Sequence, residues 1–201
     1  MPQTYVVPNV RRKPSLSQPS TTVAPFVPEP ALDLQEYEHI LSVISNMVLV
    51  MERSPQAFRT MEEEDLRQHF LVQLNGHYEG QATGETFNYE GKTDILIRAN
   101  GKNIFIAECK LWHGEKSLQE AIDQLLGYAS WRDTKVALLI FNRNKDFSSV
   151  LAKISEVAIN HPNFKKKLPY NSETGFRFSF RHRDDPNREI MLTALAFDVP
   201  Q

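Results

Sequence analysis

Apolar positions along residues 31–201 recur at two spacings, one typical of helices and one typical of strands. Steps of three and four residues predict helices from Asp33 to Ser54-Pro55, over about 61–74 with an end at Asn75-Gly76, over 115–130 and over 146–160. Shorter apolar runs predict strands over about 78–88, 92–99, 103–111 and 135–141, and a hairpin of 176–183 with 189–198. Because a helix between two strands favours a parallel crossover, we expect an α/β fold with a mixed central β-sheet flanked by helices.

Two neighbouring predicted strands bring charged side chains to one place. Asp94 lies near the start of the first strand, and Glu108 and Lys110 lie near the end of the second. Side chains alternate between the two faces of a strand, so Glu108 and Lys110 share a face and Cys109 points away from it. Two carboxylates can hold a divalent cation such as Mg²⁺, and a lysine can stabilise charge that develops at a phosphate. A purely structural Glu-Lys pair at a strand end is the alternative that these residues leave open.

The spacing of these residues resembles the signature of the PD-(D/E)xK nucleases, the restriction-endonuclease-like superfamily. Asp94 is followed after 13 residues by Glu108-x-Lys110, and Thr93 stands where the name-giving proline would be. An acidic helix precedes this pattern, and a helix and an apolar strand follow it, in the order of the superfamily core. The resemblance covers about residues 60–142 and implies a restriction-endonuclease-like core, to which the C-terminal β-hairpin is added.

The resemblance also implies roles for particular side chains. Asp94 and Glu108 would bind Mg²⁺ or Mn²⁺, and Lys110 would position the attacking water. Members of the superfamily commonly have an acidic residue on the helix before the first catalytic strand. Glu63 lies on the apolar stripe of that helix, so we expect it to complete the metal shell, with Glu64 as the second candidate.

Two further residues are candidates on weaker grounds. Gln124 lies at the edge of the apolar stripe of the helix at 115–130, where many relatives carry an auxiliary glutamine. It is expected to hold Lys110 or a phosphate. Glu85 lies in the predicted strand 78–88 and faces either the site or solvent.

The function that the resemblance implies is that of a metal-dependent endonuclease, which hydrolyses phosphodiester bonds in nucleic acid, DNA more than RNA. It further suggests bacterial restriction or antiviral defence, with the chain as the effector domain of a longer protein that carries, or binds, a sensing domain. Homodimers are common among the relatives. The alternatives are an inactive nucleic-acid-binding or scaffolding domain on the same fold, and a non-nuclease enzyme on this fold.

Charge neither excludes nor demands a nucleic-acid partner. The net charge is −2, so the whole chain lacks a strongly basic balance. Basic residues do cluster in the C-terminal third, where phosphate contacts are expected from Lys165, Lys166, Lys167, Arg177, Arg181 and Arg183. A solvated surface is the alternative for such runs.

The remaining sequence features indicate the domain boundary and the cellular compartment that we expect. Residues 1–30 hold seven of the 12 prolines, which predicts a disordered linker or tail before a domain at 31–201. The chain has no apolar run of membrane-spanning length and no signal pattern, so we expect no membrane partner. A single cysteine fits the reducing cytoplasm. Zinc-ligand spacings, phosphate-binding glycine loops and the esterase elbow are absent from the sequence.

Overall fold

A computed structural model describes residues 34–78, 82–83, 86–88, 91–99 and 102–199. The predicted linker at 1–30 and the candidate Glu85 lie outside the described residues, as does the turn between the two charged strands. Among the described helices, none combines the length and the apolar character that a membrane crossing requires.

Four α-helices form where apolar residues recur at helical spacing. They are α1 (Leu34–Arg53), α2 (Glu63–Tyr78), α3 (Glu115–Tyr128) and α4 (Phe147–Asn160), and a 3₁₀ helix at Pro55–Ala57 follows α1. Asp146 caps α4 by accepting the backbone N–H of Ser149. The four predicted helices are thus confirmed.

The predicted end of α2 at Asn75-Gly76 is wrong, because the helix continues to Tyr78. Gly76 has open space around it, and the Asn75 side chain bonds both the N–H and the C=O of Ala82 at 2.9 Å. The burial of Tyr78, which is 2% exposed, offsets the roughly 1 kcal/mol that a helical glycine costs.

Nine strands are present in the described chain. They are β1 (Ala82–Thr83), β2 (Thr86–Asn88), β3 (Gly91–Thr93), β4 (Ile95–Ala99), β5 (Lys102–Leu111), β6 (Lys135–Asn142), β7 (Phe164–Leu168), β8 (Gly175–Arg181) and β9 (Glu189–Asp198). Seven of them form one sheet in the order β1-β4-β5-β6-β9-β8-β7, and β2 pairs with β3. The β5–β6 and β6–β9 pairs are parallel and the remaining pairs are antiparallel, so the predicted mixed sheet and the parallel crossover through α3 are confirmed.

Helices cover both faces of this sheet. One apolar cluster joins α1 and α2 to the odd-numbered positions of β5 and β6, such as Phe105 and Leu139. A second cluster joins α3 and α4 to the even-numbered positions, such as Ile106 and Leu138. The result is a three-layer arrangement with the central strands buried on both sides, as their unbroken apolar runs predict.

The C-terminal hairpin of β8 and β9 is confirmed, but β7 was not predicted. β7 contains the run Lys165-Lys166-Lys167 and pairs with β8 at the edge of the sheet. Lysines on an edge strand discourage pairing with another chain, so this basic run is compatible with strand structure.

Candidate functional site

The antiparallel pair of β4 and β5 sets the spacing between the two predicted carboxylates. Ile95 pairs with Ala107 at the end of this ladder; Asp94 is the bend residue directly before Ile95, and Glu108 directly follows Ala107. Within β5, Glu108 shares the sheet face of Ile106, whereas the side chain of Asp94 contacts Arg67 of α2. The two carboxylates are close enough for the charge of Asp94 to raise the pKa of Glu108.

Asp94 is held from two sides. Its Oδ2 accepts the backbone N–H of Cys109 at 2.9 Å, and its Oδ1 accepts from Nη1 of Arg67 at 2.8 Å. Arg67, on α2, was not among the predicted site residues. It is only 6% exposed, and its Nη2 lies 3.6 Å from Glu64.

Glu108 is buried, with 3% of its surface exposed. Its Oε1 lies 3.2 Å from Nζ of Lys110, whereas its Oε2 is buried without a hydrogen-bond partner in the described part of the chain. Burial, and then the charge of Asp94, raise the pKa of Glu108 to about 7 against the opposing effect of Lys110.

Lys110 lies between two carboxylates. Nζ is 3.2 Å from Glu108 and 3.6 Å from Oε2 of Glu63. Burial favours the neutral amine, but the neighbouring Glu108 and Glu63 outweigh it and raise the pKa of Lys110. The lysine therefore remains a cation at neutral pH.

Glu63, rather than Glu64, is the acidic residue of α2 that reaches the strand end. Its Oε1 accepts the backbone N–H of Leu111 at 2.8 Å, in addition to its contact with Lys110. Glu64 points outward with a side chain 70% exposed and contacts Arg67.

Gln124 does not join this group in the structure. It is exposed on α3, and the described hydrogen bonds include none between it and Lys110. Tyr128, one turn further along α3, is half-buried near the site instead. Burial and the charges of Glu108 and Asp94 raise the pKa of its hydroxyl.

One predicted phosphate contact is wrong. Arg177 is only 7% exposed, and its guanidinium bonds Glu38 at 2.5 Å and Oγ1 of Thr193 at 2.9 Å. The ring of Tyr170 stacks 4.1 Å from it. Arg177 therefore fastens α1 to the sheet and is not available to a phosphate in solvent.

The other basic candidates lie at the surface. Lys165 pairs with Glu189, and Lys167 lies 5.4 Å from the ring of Phe176. Lys166 and Arg181 are exposed, and Arg183 is near Asp184 at 3.4 Å. These five cations are on β7, on β8 or in the turn after β8, far along the sheet order from β5.

The acidic residues offer a divalent cation two ligands rather than three. No group of three or more His, Cys, Asp or Glu side chains arranged to hold a metal occurs among the described residues, and Glu63 is directed to Lys110 and Leu111. Asp94 and Glu108 still fit Mg²⁺ or Mn²⁺ by donor chemistry, because hard carboxylate oxygens suit these ions. Within the part of the chain that the structure describes, Oε2 of Glu108 is a buried acceptor without a hydrogen-bond partner.

The fold and the site together define a mixed α/β protein with an acidic, lysine-containing centre at the ends of two central strands. Comparison with known proteins finds no matching family model, no matching curated protein and no matching solved structure.

Proposed function

We propose that the chain is a metal-dependent endonuclease with a restriction-endonuclease-like core, acting on DNA in preference to RNA. The observation that carries the proposal is the convergence of Asp94, Glu108 and Lys110 at the ends of adjacent strands, with Glu63 of α2 against the same lysine. The antiparallel β4–β5 pair followed by the parallel crossover to β6 supports the fold assignment.

Asp94 and Glu108 would hold Mg²⁺ or Mn²⁺ in this function. When bound, such a cation neutralises phosphate charge and lowers the pKa of a coordinated water. Lys110 stays protonated between Glu63 and Glu108 and can donate a hydrogen bond to the attacking water or to a phosphate oxygen. The contact of Glu63 with the backbone N–H of Leu111 fixes the carboxylate that orients this lysine.

The setting that we propose is restriction or antiviral defence, with a sensing domain as a fused or separate partner. This setting depends on the superfamily resemblance of Asp94, Glu108 and Lys110. DNA is preferred as the substrate on the same ground.

The test is cleavage of plasmid, linear duplex, single-stranded DNA and RNA, each with Mg²⁺ and with EDTA. We expect Glu108→Ala and Lys110→Ala to lower cleavage by at least about 100-fold, because each removes a group that acts on the transition state. Lys116→Ala and Glu120→Ala, exposed residues of α3, are matched controls and should cleave normally. A folded Glu108→Ala protein with the full metal-dependent rate would remove the assignment.

One observation favours a second function, that of an inactive nucleic-acid-binding or scaffolding domain. Arg67 lies against Asp94 and Lys110 against Glu108, so each of these two carboxylates has a cationic neighbour within the protein itself. Calorimetric titration with Mg²⁺ and Mn²⁺ separates the two functions. Absence of binding, together with retained nucleic-acid affinity, favours the inactive domain.

A further inference from the structure

Arg67 lies inside the candidate site although it belongs to neither of the two charged strands. It occupies the second turn of α2, four residues after Glu63 and therefore on the same face of the helix. Its side chain is 8% exposed, and its Nη1 bonds Asp94 at 2.8 Å. A buried guanidinium needs a compensating anion, and Asp94 supplies it.

This contact affects the chemistry of Asp94 in two ways. Together with the N–H of Cys109, it fixes the orientation of the carboxylate, one oxygen being bonded from each side. It also places a positive charge beside an oxygen that a divalent cation would have to approach. Arginine and a cation at the same carboxylate repel each other, strongly so where the surroundings are buried.

We infer that Arg67 is a positioning residue which acts as the internal counter-charge of Asp94, and that a divalent cation must compete with it for this carboxylate. The inference depends on the proposed function, since it concerns cation binding at the same site. The Arg67–Asp94 interaction weakens cation binding. By linkage, a bound cation weakens the Arg67–Asp94 interaction by the same free energy. Arg67 thus sets the cation concentration at which the site fills.

The experiment is calorimetric titration of the full chain with Mn²⁺ and Mg²⁺, at a pH where the carboxylates are ionised. Arg67→Gln removes the charge and keeps a polar side chain, Arg67→Lys keeps the charge, and Arg59→Gln removes an exposed arginine of the segment before α2. We expect Arg67→Gln to bind Mn²⁺ at least about tenfold more tightly than the wild type, with Arg67→Lys and Arg59→Gln close to the wild type. If Arg67 served only to hold the site in shape, Arg67→Gln would bind the cation more weakly than the wild type does.

The outcomes separate this inference from the proposed function. Equal or weaker binding by Arg67→Gln, while the wild type binds, overturns the inference and leaves the nuclease proposal standing. If Arg67→Gln binds the cation and the wild type does not, the role of Arg67 as a counter-charge is supported. The proposal that the wild type acts with a metal is then removed. Binding by neither protein overturns both.

A second measurement covers the case in which Arg67→Gln does not fold. If the variant folds only with Mn²⁺, as followed by circular dichroism, the cation has replaced the missing charge and the inference is supported. If it stays unfolded in Mn²⁺, the guanidinium of the wild type is observed by ¹⁵N NMR during Mg²⁺ titration. Faster exchange of the Arg67 Nη protons at saturation supports displacement, and unchanged exchange overturns it.

Discussion

Glu108 is a carboxylate at a buried position of a central strand, and this location governs its ionisation. Its charged form is buried, lies close to the charge of Asp94 and has Lys110 as its compensating neighbour. A site of this kind favours anything that brings positive charge to Oε2 of Glu108, whether a proton or a cation. Proton binding and cation binding at Glu108 should therefore exclude each other.

The raised pKa of Glu108 predicts a pH dependence of stability. The pKa rises from its usual 4.5 to about 7 on folding, so the folded protein binds the proton more tightly than the unfolded chain does. The resulting stabilisation is complete below the unfolded pKa and is lost as pH rises through the folded pKa. For the metal-free protein, we expect this group to lower the free energy of unfolding by about 2 to 3 kcal/mol between about pH 5 and pH 8.

Urea unfolding in EDTA at several pH values measures this effect. Glu108→Gln should flatten the pH profile relative to the wild type, whereas Glu120→Gln, an exposed glutamate of α3, should leave it unchanged. An identical slope in Glu108→Gln and wild type would show that another group is responsible.

At the scale of single residues, some residues of the site could be predicted from the sequence and others could not. Glu108 and Lys110 could be placed on one face by the two-residue period of β5, and Asp94 could be placed near them because it directly precedes the neighbouring strand β4. Arg67 and Tyr128 were not predicted, because the resemblance pointed to an acidic residue on α2 and a glutamine on α3, and to no arginine or tyrosine. The spacing of Arg67 four residues after Glu63 was the available signal.

At the scale of secondary-structure elements, the position of α1 on the sheet is fixed by polar contacts in addition to its apolar stripe. Tyr37 donates its hydroxyl to the carbonyl of Val136 at 2.7 Å, and Glu38 accepts from Arg177 of β8. These two contacts connect the first helix to strands from the second half of the chain. The helix is thereby fixed over the face of the sheet that carries Arg177.

We therefore expect Arg177→Ala to destabilise the fold without affecting nucleic-acid affinity. The loss should be about 2 to 4 kcal/mol, below the full value for a broken buried pair because Glu38 is 40% exposed and can be rehydrated. Arg181→Ala, at an exposed position of the same strand, should leave stability unchanged. Urea unfolding of the two variants provides the comparison, and equal stability of both would contradict the structural role of Arg177.

The lysines of β7 form a run of exposed cations at the edge of the sheet, an arrangement suited to contact with a polyanion. If the protein binds duplex DNA along this edge, Lys166→Gln and Lys167→Gln should each reduce the dependence of log affinity on log salt by about 0.9. Lys165 is paired with Glu189 and should contribute less. Lys116→Gln, on α3 and 91% exposed, is the control. A double β7 variant with the wild-type salt dependence would place the nucleic acid elsewhere.

Strands buried on both faces were predictable from unbroken apolar runs, and the edge strand β7 was not. β7 was missed because three consecutive lysines conceal the two-residue period. Arg177 was misassigned because the face opposite Phe178 was taken to be exposed, whereas α1 covers it. Both errors concern which surface a neighbouring element covers, a property of the assembled fold rather than of the local sequence.

At the scale of the whole molecule, the layers are held together by contacts between distant parts of the chain. α1 and α2 lie on one face of the sheet, α3 and α4 on the other, and each apolar cluster draws on both halves of the described sequence. Such a core is expected to unfold in one cooperative transition.

The predicted linker can be tested at this scale. A chain that begins at residue 31 should unfold at the same urea midpoint as the full chain, because the Pro-rich segment is predicted to contribute no packed surface. A clear fall in the midpoint on truncation would show that residues 1–30 belong to the domain.

The antiparallel pairing of β4 with β5 has a consequence for the length of the connection between Ala99 and Lys102. A one-residue slip of the pairing would turn one carboxylate of the Asp94–Glu108 pair to the opposite side of the sheet. An insertion in this short connection would thus separate the acidic pair without touching either residue. Functional variants of this protein should therefore tolerate exchanges of side chain at residues 100 and 101 far better than changes in the number of residues between Ala99 and Lys102.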